Sequence, residues 1–405
     1  MKVYISGRGV ISSLGNSSKE MFGSLLEGKS AVRKISDWDF MQGLHCRLGA
    51  PAASYDSSKL PRIARRTMSP MSEMAALATQ QALAESGLQL SEVDFSKSLL
   101  VMGSTTGSPQ CMEEYFKKLS ETHSVQGQSG TAFFKVMNHS VASNVAVAIG
   151  FNGAVISPSS ACATSAQSVI LGWELIKSGL YDLAICGGAD ELHYLSAAVF
   201  DSVYAASRGY SSSPTSTPRP FDKKRDGLVV SEGASVVILE SERSLQKRSG
   251  KALAEFCGGA YLCESSHMSQ SNEHQMKNVI EQALQRSSIK KEDVEYVNAH
   301  ATGTLQGDAA EAMALGGIFG SQTPVSSLKG HFGHSMAACG VAELIATMSM
   351  MDEGVLIGTR NLEEVAPECA SVLHLHENKK VKTRISLSNN FAFGGINTSF
   401  IVKAI

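Results

Sequence analysis

An α/β fold with largely parallel sheets is what this sequence predicts, and two observations carry it. Short strand-like apolar runs alternate with helical segments through both halves of the chain. Several of those runs, such as 99–102 and 183–186, end directly on glycines, as core strands do when they hand over to a turn.

Taken in order, residues 3–10 read as a strand closed by glycines, and 12–17 as a loop feeding a helix that ends near Gly28. Residues 59–66 crowd Lys59, Arg62, Arg65 and Arg66 together, and the plainest account of such a cluster is a solvated helix face. Apolar residues at helical spacing over 71–86 stop at Gly87. The strand at 99–102 is followed by a turn over 103–107. Residues 154–156 form another strand, and a helix begins near Ala163. The strand at 183–186 ends at Gly187 and Gly188, and 207–220, rich in Ser, Pro and Gly, reads as a surface loop. A polar corner at 219–227 leads into a β-rich run over 228–240 and a helix over 241–248.

Gly250 marks the boundary between a first half, 1–250, and a second, 251–405. Alternation resumes through 252–261, 275–286, 294–299, 308–319 and 337–351, with strands at 384–387 and 398–402. No residue-level repeat relates the halves, so any duplication rests on this coarse pattern.

Composition narrows the class. The chain has 405 residues, 43% hydrophobic and 18% charged, with a formal net charge of -2. That balance supplies a large core and no global field for nucleic acid or an anionic membrane. The 8 cysteines include no C-x-x-C pair, and Cys257 and Cys263 are too far apart for a zinc knuckle. With no signal-like start, a reduced cytoplasmic protein is expected. Between Lys135 and Glu174 no charged residue occurs, but Asn138, His139, Asn144, Asn152 and Pro158 interrupt the stretch, which favours burial in protein over a membrane span.

Cys162 stands where the strand at 154–156 hands over to a helix, flanked by Ser160, Ala161 and Ala163. Small neighbours admit a substrate, and a helix start favours thiolate over thiol. A buried structural cysteine is the commoner fate of a free thiol, and local context alone leaves the two readings even. Two further turns hold polar residues that are costly to explain as packing. One is 297–308, with His300, Thr302, Thr304 and Asp308, and with Glu311 one turn into the next helix. The other is 326–335, with Lys329 and His334. Histidines at two strand-to-helix turns, beside a cysteine at a third, tilt the balance towards chemistry. Cys162, His300 and His334 could be read as zinc ligands, but their spacing fits no closed motif and no fourth ligand is evident, so no metal is expected.

Four motifs occur in this order: 159–166 around Cys162, Asn298-Ala-His300-Ala-Thr-Gly-Thr, Lys329 with Gly333-His334, and Asn390-Phe-Ala-Phe-Gly-Gly-Ile-Asn397. Together with the 219–227 corner they resemble the elongating β-ketoacyl-acyl carrier protein synthases over essentially the whole chain. The resemblance implies a thiolase fold, two similar halves in five alternating α-β-α-β-α layers, usually a homodimer. It implies that Cys162 accepts an acyl chain and that His300 and His334 donate hydrogen bonds to the thioester oxygen when malonyl carrier protein loses carbon dioxide. It also implies an oxyanion hole from the N–H groups of Cys162 and Phe393, with Lys329 balanced by Glu311. Asp308 would support the turn, and Thr302 and Thr304 would hold the phosphopantetheine arm, which arrives on the carrier protein so that no resident cofactor is needed. Thr106 would lie in the acyl pocket.

The partner would be an acidic carrier protein docking on Lys59, Arg62, Arg65 and Arg66, with Lys223 and Lys224 as weaker candidates. The chain departs from the family pattern at Ala301, Leu305 and Ala392, and alanine for glycine at 392 carries a steric penalty wherever φ is positive. A hydroxyl at Thr106 leaves room for a type II polyketide or aryl polyene ketosynthase beside fatty acid elongation, and with it a heterodimer with a chain-length subunit. A non-catalytic chain-length partner and a Cys/His hydrolase complete the alternatives.

Overall fold

The computed structural model describes residues 1–265 and 272–405. Eleven strands form the framework. In the first half they are β1 (Val3–Ile11), β2 (Ser98–Gly103), β3 (Ala154–Ile156), β4 (Leu183–Asp190) and β5 (Gly233–Ser241). In the second they are β6 (Ala254–Cys263), β7 (Tyr296–Asn298), β8 (Pro324–Ser326), β9 (Leu373–His374), β10 (Ile385–Phe391) and β11 (Ile396–Ala404). The order across the framework is β9-β8-β7-β10-β11-β6-β1-β5-β4-β2-β3.

The duplication that no residue-level repeat reveals is written in this order. From the outer edge inward, β3-β2-β4-β5-β1 pair parallel, parallel, antiparallel, antiparallel. The strands β8-β7-β10-β11-β6 repeat that sequence of directions. The two halves meet where Tyr4 and Ile5 of β1 pair with Glu255 and Ala254 of β6.

The sheets are therefore mixed, not largely parallel. Antiparallel pairing is forced where the link is short: β10 and β11 are joined by the four residues 392–395, too few for the crossover that a parallel pair needs.

Helices take their layers from their apolar distribution. Helix α1 (Pro70–Ser86) buries a face on β1 and β5. Helix α2 (Thr164–Lys177), which follows Cys162, buries Ile170, Trp173 and Ile176 among Leu99, Val101, Leu239 and Phe400. Helix α3 (Tyr194–Ser202) follows β4. Helices α4 (Glu273–Ser287) and α5 (Leu305–Phe319) cover the outside of the second half. In α6 (Cys339–Glu353) every residue from Cys339 to Met351 is buried, the signature of a helix in a central layer. The two halves of this eleven-stranded sheet, two outer helix layers and this central layer make the five-layered thiolase fold.

One expectation about burial fails. Within the charge-free stretch, Val147, Val155 and Ile156 are exposed, and β3 is an open sheet edge. The 207–220 loop is exposed only in its middle, at Gly209, Ser211, Ser212, Ser213 and Thr215, because Ser207 at its start and Thr217 and Arg219 towards its end are buried.

Candidate active site

Cys162 occupies a single 3-10 turn, Ala161–Ala163, between β3 and α2. Ala161 takes φ 45, a left-handed backbone that an L residue rarely adopts, and this sharp turn brings Cys162 into the pocket wall. Its Sγ lies 2.9 Å from His334 Nε2. The N–H groups of Phe393 and of Cys162 itself hydrogen-bond at the thiol.

The thiol differs from expectation. Burial pushes it up to about 12, outweighing the pull of the Lys329 charge and the Phe393 N–H. A helix start does not lower the pKa here, because the sulfur is fully desolvated.

His334 is reached through Gly333, whose φ of 75 and close approach to Val229 and Ser231 leave little room for a side chain. The backbone of His334 is held on both sides: its N–H donates to Val229 O at 2.8 Å, and its carbonyl accepts from Ser231 N–H at 2.9 Å. His300 follows β7 and stands edge-to-face with His334, ring centroids 5.3 Å apart. Burial, and then the Lys329 charge, holds both imidazoles well below the usual histidine pKa. They are neutral at pH 7, each with one N–H to offer.

Lys329 is fully buried, and its partner is Glu343. Burial works most strongly against the ammonium, yet Glu343, by its charge and hydrogen bond, together with Cys339 and Glu311 raises the lysine pKa. Glu343 also accepts from Asn390 Nδ2 at 2.8 Å. Glu311, expected to balance Lys329, adds its charge to the lysine's surroundings without an ion pair to it. Glu311 instead accepts the backbone N–H groups of His300, at 2.9 Å, and Ala301, at 2.7 Å. The sequence did hold a signal for Glu343, a lone carboxylate inside an otherwise uncharged helical stretch from Ala337 to Met351.

Asp308 caps the same turn, accepting from Thr302 at 3.0 Å, Gly303 at 3.1 Å and Phe221 at 2.8 Å. Burial raises Glu311 to about 7 and Asp308 to about 6.

Thr302 and Thr304 line the pocket with Met276, Phe200 and Phe393. Thr106 does not line it: it is exposed, because its neighbour Thr105 is tied inward to Asp190. Ala392 does not have a positive φ, so its methyl meets no conformational penalty and packs near Cys162, Ala163 and Cys339.

Lys59, Arg62 and Arg66 are exposed and Arg65 is half-buried, and among the described residues no ion pair engages them. Lys223 and Lys224, in contrast, face Glu364 and Glu363 at 2.7 and 3.8 Å. The donor atoms of Cys162, His300 and His334 lie within 4.8 Å of one another and could hold a metal ion, with no fourth ligand among the described residues.

The chain is 31% identical to 3-oxoacyl-[acyl-carrier-protein] synthase 1 of Haemophilus influenzae, over 99% of this chain and 98% of that protein. A beta-ketoacyl synthase from Burkholderia phymatum superposes with a TM-score of 0.96 at 36% identity, covering 100% of this chain and 99% of the other. A type II polyketide ketosynthase, AntDE, solved with its acyl-carrier protein AntF, shares the fold with a TM-score of 0.91 at 23% identity, covering 100% and 99%. Residues 1–244 match the beta-ketoacyl synthase N-terminal domain and residues 253–363 its C-terminal domain. The chain belongs to the beta-ketoacyl synthase family.

Proposed function

We propose that this chain is a 3-oxoacyl-carrier-protein synthase of fatty acid elongation, condensing malonyl carrier protein with an acyl chain held on Cys162. The observation that carries the reading is a thiol in hydrogen-bond contact with one of two neutral, buried histidines, at a pocket lined by Thr302 and Thr304.

In the first half-reaction the Cys162 sulfur bonds to the acyl carbon and the carrier thioester C–S bond breaks. The N–H groups of Cys162 and Phe393 stabilise the intervening oxyanion. The proton that Cys162 loses is the one the departing pantetheine thiol needs, and His334 Nε2 is placed to pass it. No free thiolate is required, which suits a thiol held at about 12.

In the second half-reaction malonyl carrier protein loses carbon dioxide, and the negative charge moves to its thioester oxygen. N–H groups of His300 and His334 meet that oxygen, each such donor lowering the barrier by roughly 2.7–4 kcal/mol. The enolate carbon then bonds to the acyl carbon, the bond to Cys162 breaks, and the departing sulfur takes up one proton from solvent to restore the thiol. Lys329, with Glu343, supplies a fixed positive charge beneath the histidines. Thr302 and Thr304 would bind the arm that arrives on the carrier, leaving no resident cofactor to account for.

The half at 1–250 would contribute the nucleophile and the half at 251–405 both histidines. Docking of an acidic carrier on Lys59, Arg62, Arg65 and Arg66 is supported by the exposure of Lys59, Arg62 and Arg66. A homodimer through the open edge of β3 is supported by the exposed Val155 and Ile156. No helix among the described residues is long and apolar enough to cross a membrane, which is compatible with a cytoplasmic site of action.

Incubation with acyl and malonyl carrier proteins tests the reading. A β-ketoacyl product bearing two extra carbons is expected. Free fatty acid would point to a hydrolase, and no product to a non-catalytic subunit. Saturated and polyene primers, compared at equal concentration, separate fatty acid elongation from a polyketide or aryl polyene pathway.

A further inference from the structure

The pocket at Cys162 has two faces. His300, His334, Thr302 and Thr304 belong to the polar one, which offers hydrogen bonds to a thioester and its arm. Phe200, Leu228, Phe391, Ala392 and Phe393 make the apolar one. An acyl chain on Cys162 carries no polar group beyond its thioester, so it belongs on the apolar face, where covering it removes hydrocarbon from water.

That face is closed. The rings of Phe200 and Phe393 meet with centroids 5.4 Å apart at an angle of 49°. The cavity volume is about 50 Å³, room for a few water molecules and so for a tail of only a few carbons. A longer chain has to displace a ring.

Phe200 is the fixed ring of the two. It is 8% exposed on α3 and packs in one cluster with Trp38, Val229 and Met336. Its helix is tied at both ends. His193 Nδ1 accepts Leu195 N–H at 3.2 Å, and Asp201 accepts His45 N–H at 2.8 Å and pairs with Arg208 Nε at 2.6 Å. Phe393 stands instead on the four-residue link between β10 and β11. It is followed by Gly394 and Gly395, with φ of 92 and 78, and glycines accept other backbone angles readily. The link is anchored at its far end, where Glu264 N–H donates to Gly395 O at 2.7 Å. Phe393 is therefore the ring that can move, and Phe200 is what it rests on.

We propose that Phe200 is a specificity-determining residue that limits the acyl chain the condensing site takes, favouring short primers such as butyryl over long ones such as decanoyl. A short tail fits beside the paired rings. A long one has to part Phe393 from Phe200 and forfeits their contact. This names the substrate class of the site and rests on the reading of Cys162 as the acyl acceptor.

The test uses the full-length protein and measures kcat/KM for butyryl, hexanoyl and decanoyl carrier proteins with malonyl carrier protein. The parent should prefer butyryl. Phe200→Ala removes the fixed ring, so the decanoyl-to-butyryl ratio should rise about tenfold, the low end of what one methylene commands in an apolar pocket. Phe200→Leu should raise the ratio less, and Phe200→Trp should lower it. A ring that only stabilised α3 would lower all three rates together and leave their ratios where they were.

A parent that turns over decanoyl as readily as butyryl overturns the proposal, as does an unmoved ratio in a folded Phe200→Ala. If that variant does not fold, Phe200→Leu and Phe200→Trp decide. Ratios that move in opposite directions support the proposal, and any other pattern overturns it. Intact mass of the parent after treatment with each acyl carrier protein separates the two levels. No acyl-Cys162 with any chain would remove the functional reading and this inference together. Butyryl-Cys162 in the parent, with ratios unmoved in the variants, removes this inference alone.

Discussion

His334 Nε2 and Cys162 Sγ, 172 residues apart in the chain, stand 2.9 Å from one another in the fold. The cysteine comes from the turn before α2 and the histidine from the turn before α6, so the pair forms only when α2 and α6 pack together in the central layer. In the proposed reaction this contact would give His334 a part in acyl loading as well as in decarboxylation.

Cys162→Ala should abolish acyl loading and condensation while leaving malonyl decarboxylation, because His300, His334 and Lys329 remain in place. Acyl-carrier thioester, rather than a general thiol reagent, is the right probe, since Cys263 is exposed and Cys162 is buried. Peptide mass after brief acylation should find the label on Cys162. A label on Cys111 or Cys339 would move the nucleophile elsewhere.

The two histidines should separate. His300→Ala should lower decarboxylation by roughly 10²–10³, the scale of one lost donor, and spare loading, while His334→Ala should lower both. Single-turnover loading and carbon dioxide release measure the two steps, and equal effects of the two variants on loading would contradict the assignment.

The same histidines predict a pH dependence of stability. Both imidazoles are depressed below 6.5 by burial and Lys329, so the folded protein binds fewer protons there than the unfolded chain. Their contribution to stability is therefore full above pH 6.5 and declines as pH falls through it. Urea titrations at pH 7.5 and 5.5 should show the His300→Ala variant losing less stability on acidification than the parent. An identical loss would show that the imidazole is not held neutral.

Lys329→Ala should cost about 3–5 kcal/mol of stability by leaving Glu343 buried without its cation. Lys329→Met combined with Glu343→Leu should recover much of that stability yet not decarboxylation, because the charge beneath the histidines is gone. Recovery of both would make the pair purely structural.

Arg62→Glu with Arg66→Glu should raise KM for carrier-bound acyl chains and flatten its dependence on salt, with pantetheine thioesters unaffected. Salt dependence equal to that of the parent would return this cluster to being a solvated face.

What the sequence by itself determined is local: which turns bear the cysteine and the histidines, where strands end on glycines, and which runs are apolar. Those features depend on neighbours within a few positions, so the motifs around Cys162, His300 and His334 could be found without coordinates. The match of strand directions between halves emerged only in the sheet, since pairing partners such as Tyr4 and Glu255 lie far apart in the chain. Electrostatics was likewise decided by tertiary structure. A helix start argued for a low thiol pKa at Cys162, but desolvation by packed neighbours reversed its direction. Glu311 was the carboxylate expected to balance Lys329, yet Glu343 makes the ion pair because α6 carries it through the central layer to the lysine. The outward direction of Thr106 follows from the grip of Asp190 on Thr105, a contact across 85 residues. Burial and countercharge are properties of three-dimensional surroundings, and no spacing rule in a single chain encodes them.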